Sequence, residues 1–185
     1  MARCKICREP FKKLNINHKT CPNVACAIEL VRRDKEKKAK KETRERKVAI
    51  RSRADWLKLA QESFNAFIRK RDEHLPCICC GGWAEQKYGG SWDAGHYLSR
   101  GAYPELRFEE DNCHKQLKTC NGGSGRFAHK QKTVAQSYRE GLILKIGLER
   151  VEWLEGPHNP KKWTIPELQE ICALYKKKLK EVTHG

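Results

Sequence analysis

Residues 77–121 set out groups with metal and proton chemistry in a defined order: CICCGG, then WDAGHY, then EEDNCHKQLKTCN. A cysteine pair comes first, a lone histidine behind a glycine follows, and an asparagine stands directly behind the last cysteine. Thiolates favour zinc, whereas a carboxamide oxygen suits magnesium or manganese, which keep most of their waters. Histidine is the usual proton acceptor near neutral pH. Phosphodiester hydrolysis needs an activated water, a cation to spread charge on the phosphoryl oxygens, and a group near the leaving oxygen. Thiolate-bound zinc would staple a short hairpin to a helix, leaving His96 to take a proton from water and Asn121 to hold a Mg2+ or Mn2+ ion. A purely structural zinc ribbon would need neither residue, so the stretch is a candidate metal-dependent nuclease.

Four stretches of chain would position these groups. In residues 1–27, Cys4 and Cys7 are separated by two residues, Cys21 and Cys26 by four, and thirteen residues lie between the pairs. That is four-thiolate zinc spacing, with His18 as an alternative ligand and Phe11, Leu14 and Ile16 as a minimal core. Residues 28–54 carry twelve Lys or Arg, fewer acids, and no glycine or proline. They predict a basic helical rod with acid-to-base pairs at Asp34–Lys38, Glu36–Lys40 and Glu42–Arg46. Trp56, Leu59, Ala60, Phe64, Phe67 and Ile68 then recur at three- and four-residue steps, the stripe of a core helix. Residues 55–185 form the third unit. Its end carries a Thr164-x-x-Glu167 capping box ahead of an apolar face that includes Cys172, and residues 133–155 read as helix broken near Gly141 and Gly147.

The totals agree with that layout. A chain of 185 residues with net charge +16 has a surplus that favours a polyanionic partner, because each neutralised phosphate releases counterions. No apolar run approaches the roughly 20 residues a membrane helix requires, and MARCKICREP lacks the apolar core of a signal peptide. The expectation is a soluble cytoplasmic protein, in the host cell if phage-encoded. Ten cysteines, eight of them in two clusters, read in a reducing compartment as thiolate metal sites rather than disulfides.

On these residues the chain resembles the ββα-metal (HNH) nucleases in their zinc-clamped form, as in phage recombination endonuclease VII. Through LPCICCG, WDAGHY, LRFEEDNCHKQ, KTCN and KKWTIPE it resembles, over nearly its whole length, the NinG (Rap) recombination proteins of phage lambda type. The resemblance implies a helix-rich α+β fold: an N-terminal zinc ribbon or knuckle, a long basic helix, and a zinc-stapled ββα-metal domain with C-terminal helices. It implies His96 as general base, Asn112 as the asparagine that fixes the histidine-bearing loop, and Asn121 as metal ligand. Asp93, three residues before the histidine, stands as in the Asp-x-x-His nucleases and is assigned to the catalytic metal shell or to orienting that metal's waters. The structural zinc of this domain would take Cys77, Cys80 and Cys120. The family's remaining cysteine falls at position 117, which is Leu117 here, so Cys113 is assigned as the fourth ligand, with His114 or Cys79 as substitutes.

Arg100, Arg107, Lys115, Lys118 and Arg126 surround the motif and are expected to meet DNA backbone. The implied activity is a structure-specific endonuclease on D-loop or Holliday-junction DNA, for which a homodimer would suit symmetric cutting. Two zinc ions and one Mg2+ or Mn2+ are the implied metals, and recombination proteins are possible partners. The alternative is a noncatalytic zinc adaptor that binds DNA and recruits such partners.

Overall fold

The computed structural model describes residues 1–84, 90–122 and 133–184, and the chain divides into two compact units, Met1–Arg51 and Ser52–Gly185. In the first, β1 (Ala2–Arg3) pairs antiparallel with β2 (Pro10–Phe11). A ladder of two residues cannot hold itself together in water. What closes it is the convergence of Cys4, Cys7, Cys21 and Cys26, with Cys4, Phe11 and Cys26 buried at the centre. The sequence places Leu14 and Ile16 in this core, but they are 82% and 88% exposed. Thiols fill the centre, and no second layer faces those two side chains. Helix α1 (Val24–Ala49) starts inside this unit, capped by the Asn23 side chain, which accepts from the Ala25 N–H at 2.9 Å.

Among the described residues of α1, Cys26 alone is buried, so the rest of the helix is a solvated rod. Its ion pairs are Glu29 with Arg32 and Arg33, Arg32 with Glu36, Lys38 with Glu42, and Lys41 with Glu45. They replace the three acid-to-base pairs expected from spacing, because each acid here has several cations within reach. Pairs this exposed are screened by solvent and contribute little to stability.

The second unit is built on α2 (Arg53–Arg71), which starts with a Ser52–Asp55 capping box. Its aromatic stripe packs against α6 (Ile165–His184): Ala60, Phe64, Phe67 and Ile68 meet Leu168, Cys172 and Tyr175. Phe64 stands edge-on to Tyr175 at 4.8 Å, and the Tyr175 hydroxyl donates to the Phe108 carbonyl at 3.2 Å. Thr164 caps α6 through Glu167, whose carboxylate accepts from the Thr164 N–H at 2.8 Å.

Strand β3 (Trp92–His96) pairs antiparallel with β4 (Cys113–Leu117), in a register that sets Trp92 opposite Leu117 and His96 opposite Cys113. Helix α3 (Lys118–Asn121) follows at once, so the local order is strand, strand, helix. Helices α4 (Val134–Ile146) and α5 (Leu148–Glu155) bring Tyr138, Leu142, Val151 and Leu154 together with Leu106 in a second cluster. The break between them falls at Gly147, whose φ of 84° is the left-handed conformation glycine tolerates. Gly141 does not break α4. It is a glycine because a Cβ there would collide with the Ile78 carbonyl oxygen of the cysteine loop. Among the described residues, no helix is long and apolar enough to cross a membrane.

Candidate functional site

Cys4, Cys7, Cys21 and Cys26 hold their sulfurs within 4.8 Å of one another, and Cys7 and Cys21 are 3.7 Å apart. A disulfide requires about 2.05 Å. A tetrahedron with Zn–S bonds of about 2.3 Å has sulfur-to-sulfur edges of about 3.8 Å, so the cluster fits zinc. Burial opposes ionisation of the Cys4 thiol, but backbone amides that donate to it bring it down to about 6. Burial and the neighbouring thiols push Cys26 up to about 12. Successive thiolates thus ionise against one another, a repulsion a dication would remove. His18 is not in this cluster; its Nδ1 accepts from the Leu14 N–H at 3.3 Å.

The second cluster unites Cys77, Cys80 and Cys120, with Cys80 and Cys120 also 3.7 Å apart. A hydrogen bond from Cys79 and the amides of Leu117 and Cys80 outweigh burial and bring Cys77 down to about 4. These three thiols could hold zinc, but Cys113 is not with them. It opens β4, four residues from Leu117 on the same strand face, roughly 13 Å along the strand. Leu117 is the residue that packs with Cys77 and Cys120. Cys113 is instead buried under α2, with its sulfur 3.5 Å from His96 Nδ1. Neither substitute takes its place among the three: His114 bonds Arg71 and Lys145 through Nδ1, and the Cys79 sulfur accepts from Gln116 Nε2 at 2.8 Å.

His96 faces the α2 side of the hairpin, 5.9 Å from the Phe64 ring. Its Nε2 donates to the Arg107 carbonyl at 3.0 Å, which leaves Nδ1 as the acceptor facing Cys113. Burial, with help from Arg100 and Arg107, lowers its pKa to about 4, so the ring is neutral at physiological pH. Asp93 lies three positions earlier on β3 and therefore on the opposite face, opposite Gln116. Asn121 Nδ2 donates to Asp93 Oδ2 at 3.0 Å. The structure thus joins Asp93 to Asn121 but does not join His96 to either. Asn112 is fully buried, and its amide clasps the chain just past His96. Oδ1 accepts from the Leu98 N–H at 2.9 Å, and Nδ2 donates to the carbonyls of Leu98 (3.0 Å) and Leu106 (3.1 Å).

The five cations assigned to DNA backbone separate. Arg100 is exposed, and Lys118 lines an open cleft of about 600 Å3 together with Arg69, Trp92 and Asp93. Arg107 is engaged within the protein by two single hydrogen bonds, donating to Gln61 Oε1 at 3.2 Å and to the Arg100 carbonyl at 3.1 Å. Lys115 is a correction: it is 4% exposed, and its ammonium donates to the Glu73 carbonyl at 2.8 Å while lying 4.2 Å over the Trp92 ring. It lies at the floor of the same cleft, with its ammonium engaged by protein groups instead of standing free. Arg126 lies outside the described residues.

The family model described as Bacteriophage Lambda NinG protein matches residues 1–184. The chain belongs to the NinG family. It is 41% identical to Protein ninG of Escherichia phage lambda and 40% identical to that of Escherichia phage 933W, in each case over 99% of this chain and 94% of the relative. It is 40% identical to Protein ninG of Salmonella phage P22, over 97% of this chain and 93% of the relative. No solved structure matches it.

Asp72, 2% exposed at the end of α2, accepts from Arg71 Nε and Nη2 (2.9 and 2.8 Å), Lys145 Nζ (2.9 Å) and the Lys115 amide (3.1 Å). Burial works against its ionisation, but His114, Arg71 and Lys145 hold the carboxyl far below the usual range. Arg71 also donates to the Cys113 carbonyl at 3.0 Å. Asp72 therefore ties α2, β4 and α4 into one frame under the cysteine loop. Its only sequence signal is an Arg-Asp step at a helix end, which is too common to single out.

Proposed function

We propose that this NinG protein is a metal-dependent endonuclease acting on branched DNA, in the manner of the zinc-clamped ββα-metal nucleases. The carrying observation is the Asp93–Asn121 pair, 3.0 Å apart at the side of a cleft lined by Arg69 and Lys118, on a strand-strand-helix unit beside a thiol cluster. A carboxylate with a carboxamide that can turn its oxygen inward is a fitting donor set for Mg2+ or Mn2+. When bound, such an ion would spread the charge that develops on the phosphoryl oxygens. Arg69 and Lys118 would draw the phosphate backbone toward that position, and Asn112 would keep the segment after His96 in place.

His96 can accept a proton in this reading only when its bond to the Arg107 carbonyl opens. The same opening would hydrate the ring and raise its basicity from about 4 toward the ordinary histidine value. DNA binding along the segment between Leu98 and Arg107 is the event assigned to that release. The closed state of His96 also favours a second reading, a noncatalytic zinc adaptor on DNA. The test is cleavage of a synthetic four-way junction in Mg2+ by wild type, Asp93→Asn and His96→Ala. Cleavage by wild type and its loss in both variants support the assignment. Cleavage that persists in His96→Ala removes the histidine from the mechanism, and no cleavage by wild type supports the adaptor.

A further inference from the structure

Trp83 is 59% exposed on a chain otherwise rich in charge, and three features fix its position. It follows Cys80 by three residues, so the second thiol cluster anchors the backbone beside it. Its ring meets Trp92 edge-to-face at 6.4 Å and 82°. The Lys115 ammonium, held by the Glu73 carbonyl, sits against both rings, 4.9 Å from Trp83 and 4.2 Å from Trp92. A buried lysine and a second indole thus pin an exposed indole from within. Among the described residues, Trp83 belongs to neither of the second unit's two main apolar clusters. Trp153, the other half-exposed tryptophan, is by contrast stacked by Arg150 at 3.8 Å.

The corner made by Trp83 and Trp92 adjoins the cleft that carries Arg69, Lys118 and Asp93, since Trp92 belongs to both. A flat apolar ring beside cations at phosphate reach is the pairing used by single-strand-binding sites, where bases stack and the backbone is drawn by charge. Bases inside a duplex have no free face to offer. Unpaired bases at a branch, flap or overhang do.

We propose that Trp83, braced by Trp92 and Lys115, is a stacking site for an unpaired DNA base beside the Asp93 cleft. The inference rests on the DNA-cleavage reading and deepens it, since it names the feature of branched DNA that the protein recognises. Its test reads binding alone, so it survives or fails apart from catalysis. Full-length Asp93→Asn protein is titrated by fluorescence anisotropy with a duplex bearing a single-stranded overhang, with a blunt duplex, and with the overhang made abasic. Adding Trp83→Ala is expected to weaken the overhang complex about tenfold or more, with little change for the blunt or abasic probes. Trp83→Phe, which keeps a ring, is expected to restore most of that loss. Unchanged zinc content and melting temperature show that the variants are folded. Equal losses on all three probes, no loss on any, or a Trp83→Phe protein as weak as Trp83→Ala would overturn the proposal.

Discussion

The place of Leu117 makes a quantitative prediction about the second thiol cluster as a zinc site. Cys77, Cys80 and Cys120 hold three sulfurs within 4.8 Å of one another, and Leu117 packs against Cys77 and Cys120, its amide donating to Cys77 Sγ at 3.3 Å. Leu117→Cys should therefore convert a three-thiolate site into a four-thiolate one. Four-ligand structural zinc sites bind with roughly 10–16 kcal/mol, or about 2.5–4 kcal/mol per ligand if shared evenly. That corresponds to about 70- to 900-fold in affinity. Exchanging a buried leucine for the smaller cysteine gives back about 1–2 kcal/mol of packing. The net expectation is about 0.5–3 kcal/mol, or zinc held roughly 2- to 160-fold more tightly, measured by competition with a chromophoric chelator. The N-terminal site is the same in both proteins, so it cancels in the comparison. In Co2+-substituted protein the sulfur-to-metal charge-transfer band of this site should grow by about one third, three thiolates becoming four. Cys113→Ala, by contrast, should leave affinity and spectrum where they are. Unchanged affinity in Leu117→Cys, or lost zinc in Cys113→Ala, would refute the assignment of ligands made from the hairpin register.

Three further perturbations probe the frame around the site. Asp72→Asn strands Arg71 and Lys145 beside a neutral partner and should cost about 3–5 kcal/mol in urea denaturation. Because folding depresses this carboxyl, its contribution is full above the unfolded value of about 3.9 and is lost as pH falls below it. The gap between wild type and variant should thus be constant from about pH 8 to 5 and narrow toward pH 3; a gap that widens in acid would contradict the sign. Gly141→Ala drives a methyl into the Ile78 carbonyl and should destabilise by about 1–3 kcal/mol, with an unchanged urea midpoint counting against the close approach. Cys26→Ser should remove one zinc equivalent and abolish hydrogen-exchange protection in residues 1–26 while α2 and α6 stay protected. Protection lost in both units together would show that the two do not fold separately.

Much of this architecture is legible in the chain because it rests on short-range pattern. The Cys4–Cys26 spacing, the stripe from Trp56 to Ile68 and the Thr164–Glu167 cap each state their geometry within a few helical turns or one knuckle. What escapes pattern depends on partners distant in sequence. Lys115 reads as one more surface cation until Trp83, Trp92 and Glu73 are seen to enclose it. Gly141 reads as a helix breaker until Ile78 is seen against it. Asp72 gathers its partners from 1, 43 and 73 residues away, so no local window contains the reason for its burial.

The relation between Asp93 and His96 is the instructive case, because its answer was present in the spacing. Read as an ordered motif, D-A-G-H brings a carboxylate and an imidazole to one ion. Read as a strand, positions 93 and 96 differ by three, and the pleat sends odd separations to opposite faces. The hairpin register then delivers Asp93 to Gln116 and His96 to Cys113, and the Arg107 carbonyl closes the ring's second nitrogen. A nuclease with this hairpin must either bend β3 near Gly95 or release His96 from Arg107 when DNA binds. Gly95 does not offer the first route freely, since its backbone oxygen is held by the Tyr138 hydroxyl at 2.8 Å. The bond to Arg107 is the softer element: it ends on a loop carbonyl, and the Arg107 side chain is held by single hydrogen bonds of 3.2 and 3.1 Å. A phosphate that draws the Arg107 guanidinium away from Gln61 would loosen that loop and expose the imidazole in one movement, coupling substrate contact to the availability of a base.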